Sequence, residues 1–270
     1  MLCRCIRSWQ AIWAVNLVTK RYHSSILVEN TVSNASNRLR LPEEKYCTEM
    51  SSPLSVQPVL SELAQKTTRE FGNAHMMVSE VQARLLHTLV GLLKIQNVLE
   101  IGTFTGYSAL AMASALRSTG SLISLEANPE CHAVAKQYVE KANLQHKVDL
   151  RLGKAIESLE SLVREKRQFD LIFLDANKKG YIPYFNLILD NNLLADDGVL
   201  IADNILFFGQ VHRAAGHEDH QTPDASKNIM KTAKICHEFN EHVRKDPRVT
   251  VLMLPIFDGI SVIRKKHAVE

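Results

Sequence analysis

The chain has 270 residues, of which 46% are hydrophobic, and a formal net charge of +3 at pH 7, so it can bury a full core. Residues 1–28 carry four of the positive charges and no acid, so the rest of the chain has a formal net charge of −1. This balance argues against nucleic acid as a partner, because no basic face remains to neutralise phosphates.

The N-terminal segment has a composition of its own. It holds Arg4, Arg7, Lys20 and Arg21 among serines and tryptophans, as is typical of a mitochondrial transit peptide. A signal anchor is the alternative, but polar residues interrupt its apolar part and leave it too short to span a membrane. We expect a mitochondrial targeting segment at 1–28, a polar linker at 29–52 and a single domain at 53–270. If the first segment does not act in import, we expect a cytoplasmic protein. No stable membrane span is expected.

A helix and then a strand are the first predicted elements of the domain. Ser79 followed by Gln82 is a capping box, and the apolar residues after it recur at helical spacing. Asn97–Ile101 is mostly apolar, as expected of a buried parallel strand, and Ser108–Leu116 carries small and apolar residues suited to a packed helix. A turn with a glycine at each end joins this strand to this helix.

The glycine turn indicates a cofactor site. Gly102 and Gly106 let the backbone approach a ligand closely, and Glu100 places a carboxylate beside the turn. Phe104 occupies the position where a dinucleotide motif has its middle glycine, which disfavours a pyrophosphate. The pattern instead suits a cationic nucleoside with an amino-acid tail, a description that S-adenosylmethionine fits.

A second carboxylate supports the cofactor interpretation. The predicted strand Ser121–Leu125 is followed by Glu126, whose carboxylate could accept hydrogen bonds from ribose hydroxyls. The two glycines alone would more often mark an ordinary turn between a strand and a helix. Together with Glu100 and Glu126 they favour a nucleoside site.

Two later strands end in acids. Phe169–Asp175 is a buried strand ending in an acid, and Val199–Asp203 is another, followed by Asn204. Because an open parallel sheet binds ligands at the carboxyl ends of its strands, Asp175, Asp203 and Asn204 could converge there. Two carboxylates and an amide suit Mg²⁺ better than zinc. The alternative for either segment alone is a turn that begins with Asp or Asn.

The stretch after the second of these strands carries aromatic and histidine side chains. Phe207 and Phe208 could line an aromatic slot. His212, His217 and His220 have no supporting cysteine pair and no helical spacing, so we interpret them as solvated loop histidines rather than zinc ligands.

The five cysteines are irregularly spaced, which argues against a disulfide framework and for a reducing compartment. Cys131 lies near a predicted helix start, where a thiolate would be favoured, but we interpret it as a buried, inert thiol.

The remaining elements complete an alternating pattern. Asn128 followed by a proline predicts a helix start, and further strands are predicted at Lys147–Leu152, Val249–Leu254 and Ile260–Arg264. The alternation of strands and helices indicates an α/β fold with a doubly wound sheet. The last two strands, joined by a short turn, are expected to form an antiparallel pair.

Taken together, the motifs resemble those of a known family. The chain is similar to the cation-dependent O-methyltransferases, which include catechol O-methyltransferase and the plant caffeoyl-CoA O-methyltransferases. The motifs that carry the resemblance are Met76–Glu80, Leu99–Ser108, Phe169–Lys178, Ala202–Asn204 and Leu254–Ser261. It implies the class I methyltransferase fold, Rossmann-like, with a mostly parallel seven-stranded sheet and an antiparallel last strand.

The resemblance also assigns roles by position. It implies a catalytic Lys178 and the metal ligands Asp175, Asp203 and Asn204, for Mg²⁺ or another divalent cation. The implied contacts of S-adenosylmethionine are Val78, Glu100, Gly102, Thr103, Phe104, Ser108, Glu126, Ala155 and Asp175.

The implied reaction is methyl transfer to a hydroxyl of a small aromatic acceptor, catechol-like or of the hydroxycinnamoyl type. A vicinal diol could chelate Mg²⁺ and so present one oxygen to the sulfonium methyl. Lys178 could take the proton of that hydroxyl, whereas its neighbour Lys179 is interpreted as a solvated lysine. Plant members carry an acid where this chain has Asn177, so the resemblance supports no carboxylate role there.

Other functions share parts of the pattern. A nicotinamide-dependent oxidoreductase would have the same sheet and an acidic ribose ligand, but Phe104 counts against it. A catalytically silent protein that binds S-adenosylmethionine would show no turnover, but the intact Lys178 and the implied cation ligands count against that alternative. The predicted helix 54–71 could form a homodimer interface, as in relatives of this kind, or cap a monomer.

Overall fold

Seven strands form one mixed sheet in the structure, a computed structural model that describes residues 42–217 and 225–266. They are β1 (Asn97–Ile101), β2 (Ser121–Glu126), β3 (Val148–Leu152), β4 (Phe169–Leu174), β5 (Leu194–Asp203), β6 (Val249–Leu254) and β7 (Ile260–Lys265). Their order is β3-β2-β1-β4-β5-β7-β6, and β7 runs antiparallel to both of its neighbours. The predicted fold class, including the antiparallel last pair, is therefore confirmed.

Helices alternate with these strands. The described ones are α1 (Pro42–Met50), α2 (Gln57–Glu70), α3 (Glu80–Leu92), α4 (Tyr107–Ala115), α5 (Pro129–Lys141), α6 (Ala155–Arg164), α7 (Tyr181–Asp190), α8 (Val211–Ala214) and α9 (Lys227–Lys245). Short 3₁₀ helices lie at Ala74–Met76 and Lys178–Gly180.

Helices cover both faces of the sheet, because successive side chains of a strand point to opposite faces. Val98 of β1 belongs to the core on one face, with side chains of α2, α3 and α4 such as Leu86. Leu99 belongs to the core on the other face, with side chains of α6, α7 and α9 such as Phe185 and Phe239. Each such buried side chain contributes about 1.5–3 kcal/mol, so the strand ends are held on a rigid support.

The strand register places four strand ends at one edge of the sheet. Ile101 pairs with Leu125 of β2 and with Leu174 of β4, and Leu174 pairs with Ala202 of β5. All four strands run parallel, so the segments that follow them emerge on the same side. The glycine turn and the acids predicted to form the site therefore lie along this carboxyl edge.

The helix starts predicted from capping residues are present. The side chain of Ser79 accepts a hydrogen bond from the Gln82 amide at 3.3 Å, and the side chain of Asn128 accepts from the Glu130 amide at 2.8 Å. Both bonds satisfy amide groups that lack a partner within the first turn of a helix.

Helix α1 lies within the segment predicted to be a polar linker. Of residues 29–52 the structure describes 42–52, where Pro42–Met50 is helical and packs near α3. The buried guanidinium of Arg84 donates to the main-chain oxygens of Thr48 and Ser51, the latter at 2.7 Å, and so satisfies carbonyl groups at the end of α1. That contact joins segments far apart in sequence, and local composition does not reveal it.

The targeting segment predicted at 1–28 lies outside the described residues and stays a prediction. Of the helices that the structure does describe, none is both long enough and apolar enough to cross a membrane.

Candidate active site at the carboxyl edge of the sheet

The glycine turn between β1 and α4 is tightly packed against β4. Gly102 has φ +103°, and a Cβ at this position would lie 2.2 Å from the main-chain oxygen of Asp175. Gly106 has φ +95°, and its Cβ would meet Ala135 of α5 at 3.0 Å. Both positions therefore require glycine on grounds of conformation and space. The turn and the segment after β4 form one continuous surface.

Glu126 is held at the end of β2 by main-chain donors. The amide of Phe104 donates to one carboxylate oxygen at 2.7 Å, and the amide of Asn128 donates to the other at 2.8 Å. The carboxylate is therefore fixed in orientation, and each oxygen keeps a lone pair for a further donor. Such a group can accept hydrogen bonds from the hydroxyls of a ribose.

Glu100 is placed differently from the other residues predicted to contact the cofactor. Its side chain is fully buried beneath the turn and does not line the cavity described below. Ser108 donates to one of its oxygens at 2.5 Å, and Ser124 donates to the other. Burial raises the pKa of Glu100 to about 8. The structure thus shows Glu100 supporting Ser108, which does line the cavity, while a direct cofactor contact stays a prediction.

The raised pKa of Glu100 predicts a pH-dependent gain for Glu100→Gln. Between about pH 4.5 and pH 8 the unfolded chain ionises this carboxyl while the folded protein keeps it neutral. Folding stability is therefore lost by up to about 1.4 kcal/mol per pH unit over this window. Glutamine lacks that loss, so the variant gains stability relative to the parent as the pH rises. Urea unfolding of cofactor-free protein at pH 5 and pH 8 measures this difference.

The control for this prediction is Glu140→Gln, where the side chain is exposed on α5. If the difference in free energy of unfolding between Glu100→Gln and the parent is the same at both pH values, Glu100 does not titrate as described.

The residues predicted to bind a cation lie together. The ammonium group of Lys178 lies 3.4 Å from Oδ1 of Asp175, 3.1 Å from Oδ1 of Asn204 and 3.2 Å from the main-chain oxygen of Asp203. Asn204 has φ +55°, a conformation that asparagine tolerates better than most residues. One positive group therefore already draws together oxygens from the ends of β4 and β5.

The carboxylate of Asp203 is fully buried beside this cluster. Its Oδ2 accepts from Nε2 of Gln82 at 2.6 Å, and its Oδ1 accepts from the amide of Asn204 at 2.7 Å. Burial, reinforced by the charge of Asp175, raises the pKa of Asp203 to about 7. A positive charge placed between Asp175 and Asp203 would offset both effects.

The donor set fits a hard divalent cation. Within 42–217 and 225–266, no three His, Cys, Asp or Glu side chains are grouped so that they could hold a metal. A site here therefore depends on the amide of Asn204 as its third protein ligand. Two carboxylates and one amide are oxygen ligands of the kind that Mg²⁺ prefers.

Tyr181 is a site residue that sequence reasoning missed. Its side chain is buried, its hydroxyl accepts from Lys178, and it can donate to the main-chain oxygens of Leu174 or Asp203, at 3.1 and 3.0 Å. Burial keeps the pKa of Tyr181 well above its ordinary value, so the hydroxyl stays protonated. The available signal was its spacing of three residues from Lys178, which places both on one side of a helical turn.

A cavity of about 1180 Å³ lies over this edge. Every residue predicted for the site lines it except Glu100; these are Val78, Gly102, Thr103, Phe104, Ser108, Glu126, Ala155, Asp175, Lys178, Asp203 and Asn204. The structure therefore brings the predicted cofactor and cation residues into one space, although the roles assigned to them stay predictions.

The rest of the wall includes the predicted aromatic pair. Phe207 and Phe208 both line the cavity, with ring centroids 5.0 Å apart and planes at 86°. Helix α1 adds Glu43 and Glu44 to the wall. Asn177 also lines the cavity, and its side chain accepts from the Gly180 amide at 3.0 Å as a turn cap.

Two further predictions concern thiols and histidines. Cys131 is buried, and burial raises its pKa to about 11, in agreement with an inert thiol. His212 lies in α8 and His217 follows it, but His220 lies outside the described residues. The interpretation of these histidines stays a prediction.

Comparison with known proteins identifies the family. The sequence model of the O-methyltransferase family matches residues 48–266. The chain belongs to this O-methyltransferase family. The O-methyltransferase ankF of Aspergillus thermomutatus is 34% identical over 83% of this chain and 92% of its own length. Caffeoyl-CoA O-methyltransferase 1 of Arabidopsis thaliana is 33% identical over 76% of this chain and 77% of its own.

Solved methyltransferase structures agree with this assignment. A Podospora anserina methyltransferase bound to SAH superposes with a TM-score of 0.75, at 31% identity, over 83% of this chain and 94% of that one. The O-methyltransferase TomG of Streptomyces achromogenes, in complex with SAM, gives a TM-score of 0.67 at 28% identity, over 83% and 95%. The protein is therefore an S-adenosylmethionine-dependent O-methyltransferase. This assignment rules out the alternative of a nicotinamide-dependent oxidoreductase.

Proposed function

We propose that this O-methyltransferase requires a divalent cation and methylates a hydroxyl of a small catechol-like acceptor. The observation that carries the proposal is the convergence of the side-chain oxygens of Asp175 and Asn204 on the Lys178 ammonium, beside the buried carboxylate of Asp203. This cluster lies in the same cavity as the residues predicted to bind the cofactor. An acceptor oxygen bound there would lie within reach of the methyl donor.

In this proposal the predicted site residues have separate roles in the reaction. Glu126 would hold the ribose of the methyl donor, and the glycine turn would admit its amino-acid tail. Asp175, Asp203 and Asn204 would hold the cation, which when bound supplies Lewis acidity and orients the two oxygens of the diol. Nζ of Lys178 would first release its ammonium proton to solvent and would then take the proton of the attacking hydroxyl as the new O–CH₃ bond forms and the S–CH₃ bond breaks.

The charge of the cavity wall supports an acceptor without a polyanionic tail. Six described carboxylates line the cavity, those of Glu43, Glu44, Glu126, Asp175, Asp203 and Asp258. Among the described lysines and arginines only Lys154 and Lys178 do so. The caffeoyl-CoA relatives take by name a nucleotide thioester, whose phosphates need basic partners. We therefore favour a free catechol, neutral or cationic, over a hydroxycinnamoyl thioester.

A panel of acceptors tests both parts of the proposal. Methyl transfer from labelled S-adenosylmethionine is measured with a neutral catechol, a catechol carrying an amine, 3,4-dihydroxybenzoate and a caffeoyl thioester, with Mg²⁺ and with a chelator. We expect turnover that the chelator abolishes and Mg²⁺ restores, and the highest kcat/KM for the neutral or cationic catechols.

The outcomes separate the two claims. Turnover that persists in chelator contradicts cation dependence. Higher kcat/KM for the thioester than for any free catechol contradicts the choice of acceptor and leaves the cation requirement standing. Tight binding of SAH with no turnover of any acceptor would contradict the proposed acceptor class as a whole.

A further inference from the structure

Gln82 joins the cofactor side of the cavity to the predicted cation ligands. The residue is 4% exposed, and its Nε2 donates to Oδ2 of Asp203 at 2.6 Å. A buried amide and a buried carboxylate are thus paired across 121 positions of sequence. Since Oδ1 of Asp203 accepts from the Asn204 amide, these two donors fix the plane of the carboxylate.

The position of Gln82 is itself well determined. It lies in the first turn of α3, where Ser79 caps its main-chain amide at 3.3 Å. The ion pair between Glu80 and Arg84, and the bonds from Arg84 to the end of α1, hold the same turn. Val78, which lines the cavity, lies directly before the cap. The residue that supplies the donor therefore lies in a helix turn whose position several contacts fix.

We propose that Gln82 is a positioning residue that orients Asp203 for the cation. The inference rests on the proposed cation dependence and adds a residue to it. A group that bonds to a metal-ligating carboxylate restricts that ligand to one orientation, and removing such a partner costs 10–100-fold in metal affinity in typical sites. Glutamine suits the role because it donates without adding a charge to a cluster that already holds two carboxylates.

The test measures Mn²⁺ binding to the full-length protein in the presence of SAH, by electron paramagnetic resonance. Gln82→Met keeps the size and removes the donor, and we expect the dissociation constant of Mn²⁺ to rise about 10–100-fold. SAH affinity is expected to stay unchanged, and kcat at saturating Mn²⁺ to recover most of the parent value. A purely structural role would lower SAH affinity and kcat together.

Two further variants keep the test sharp. Gln82→Asn retains the amide but is one methylene shorter, so we expect it to lose the bond to Asp203 and to weaken Mn²⁺ binding as Gln82→Met does. This variant provides the test if the Gln82→Met protein does not fold. Gln168→Met is the matched control, because this exposed glutamine donates to the main-chain oxygen of Asn192, away from the site.

The results separate this inference from the function it rests on. If the parent binds Mn²⁺ and folded Gln82 variants bind it equally well, the positioning role is wrong and the cation site stands. A parent that binds no Mn²⁺ overturns both.

Discussion

Asp203→Ala is expected to abolish cation binding and to lower kcat/KM by about 10³-fold, since Lewis-acid stabilisation is worth several kcal/mol and each 1.36 kcal/mol is a factor of ten in rate. The substitution removes the carboxylate that Gln82 and the Asn204 amide hold in place. Asp175 and Asn204 alone would leave too few protein ligands for a stable site. Mn²⁺ binding and methyl transfer at saturating S-adenosylmethionine measure the two effects.

SAH affinity distinguishes loss of the cation from loss of the fold in this variant. The residues predicted to bind the cofactor do not include Asp203, so SAH should bind Asp203→Ala as it binds the parent. Asp196→Ala is the matched control, because Asp196 lies near the opposite end of β5 and pairs with Lys265 at the surface. Full turnover by Asp203→Ala in the presence of chelator would rule out the proposed role of Asp203.

The parts of the site that could be predicted from sequence depend on local geometry. Gly102 and Gly106 both have positive φ, and their spacing follows from the turn between one strand and the next helix. Asp175 and Asp203 directly follow buried apolar strands, and the rules for parallel sheets place such strand ends on one edge. The convergence of these groups therefore followed from strand order without any knowledge of side-chain contacts.

Contacts between distant segments could not be predicted in this way. Gln82 fitted the pattern of a capping box, and its main-chain amide does donate to the side chain of Ser79. Its side-chain amide, however, donates to Asp203. Arg84 holds the end of α1 in a segment whose polar composition indicated a linker. Both contacts need the folded sheet to exist first, so nothing in the neighbouring sequence indicates them.

Glu100 and β5 each make contacts that the local sequence pattern does not indicate. Ser108 and Ser124 donate to the carboxyl of Glu100 and so allow it to be buried, while its contact with the cofactor stays a prediction. Strand β5 begins at Leu194, earlier than the predicted start at Val199. The prediction began late because the exposed acids after Leu194 have the composition of a turn. Pairing of Leu194 with Phe169 of β4 overrides that local preference.

Lys178→Met is expected to lower kcat by 10²–10⁴-fold, the range that a positioned general base contributes. The lysine lines the cavity with 9% of its side chain exposed, and its Nζ is held by contacts with the Tyr181 hydroxyl and with oxygens of three other residues. Methionine fills the same space without a proton acceptor. Lys178→Arg keeps the charge and lacks the base, so the same loss in both variants would assign the role to proton transfer. Lys179→Met, at the exposed neighbour, is the control.

Cation affinity then separates Lys178 from the ligands beside it. The Lys178 ammonium lies within 3.4 Å of Asp175 and 3.1 Å of Asn204, so it competes electrostatically with any cation bound by the same oxygens. Lys178→Met should therefore bind Mn²⁺ at least as tightly as the parent while turning over slowly, whereas Asp203→Ala loses both binding and turnover. A methionine variant that loses Mn²⁺ would show that Lys178 organises the ligands instead of taking the proton. If Lys178→Arg keeps the turnover that Lys178→Met loses, the positive charge alone would account for the role of Lys178.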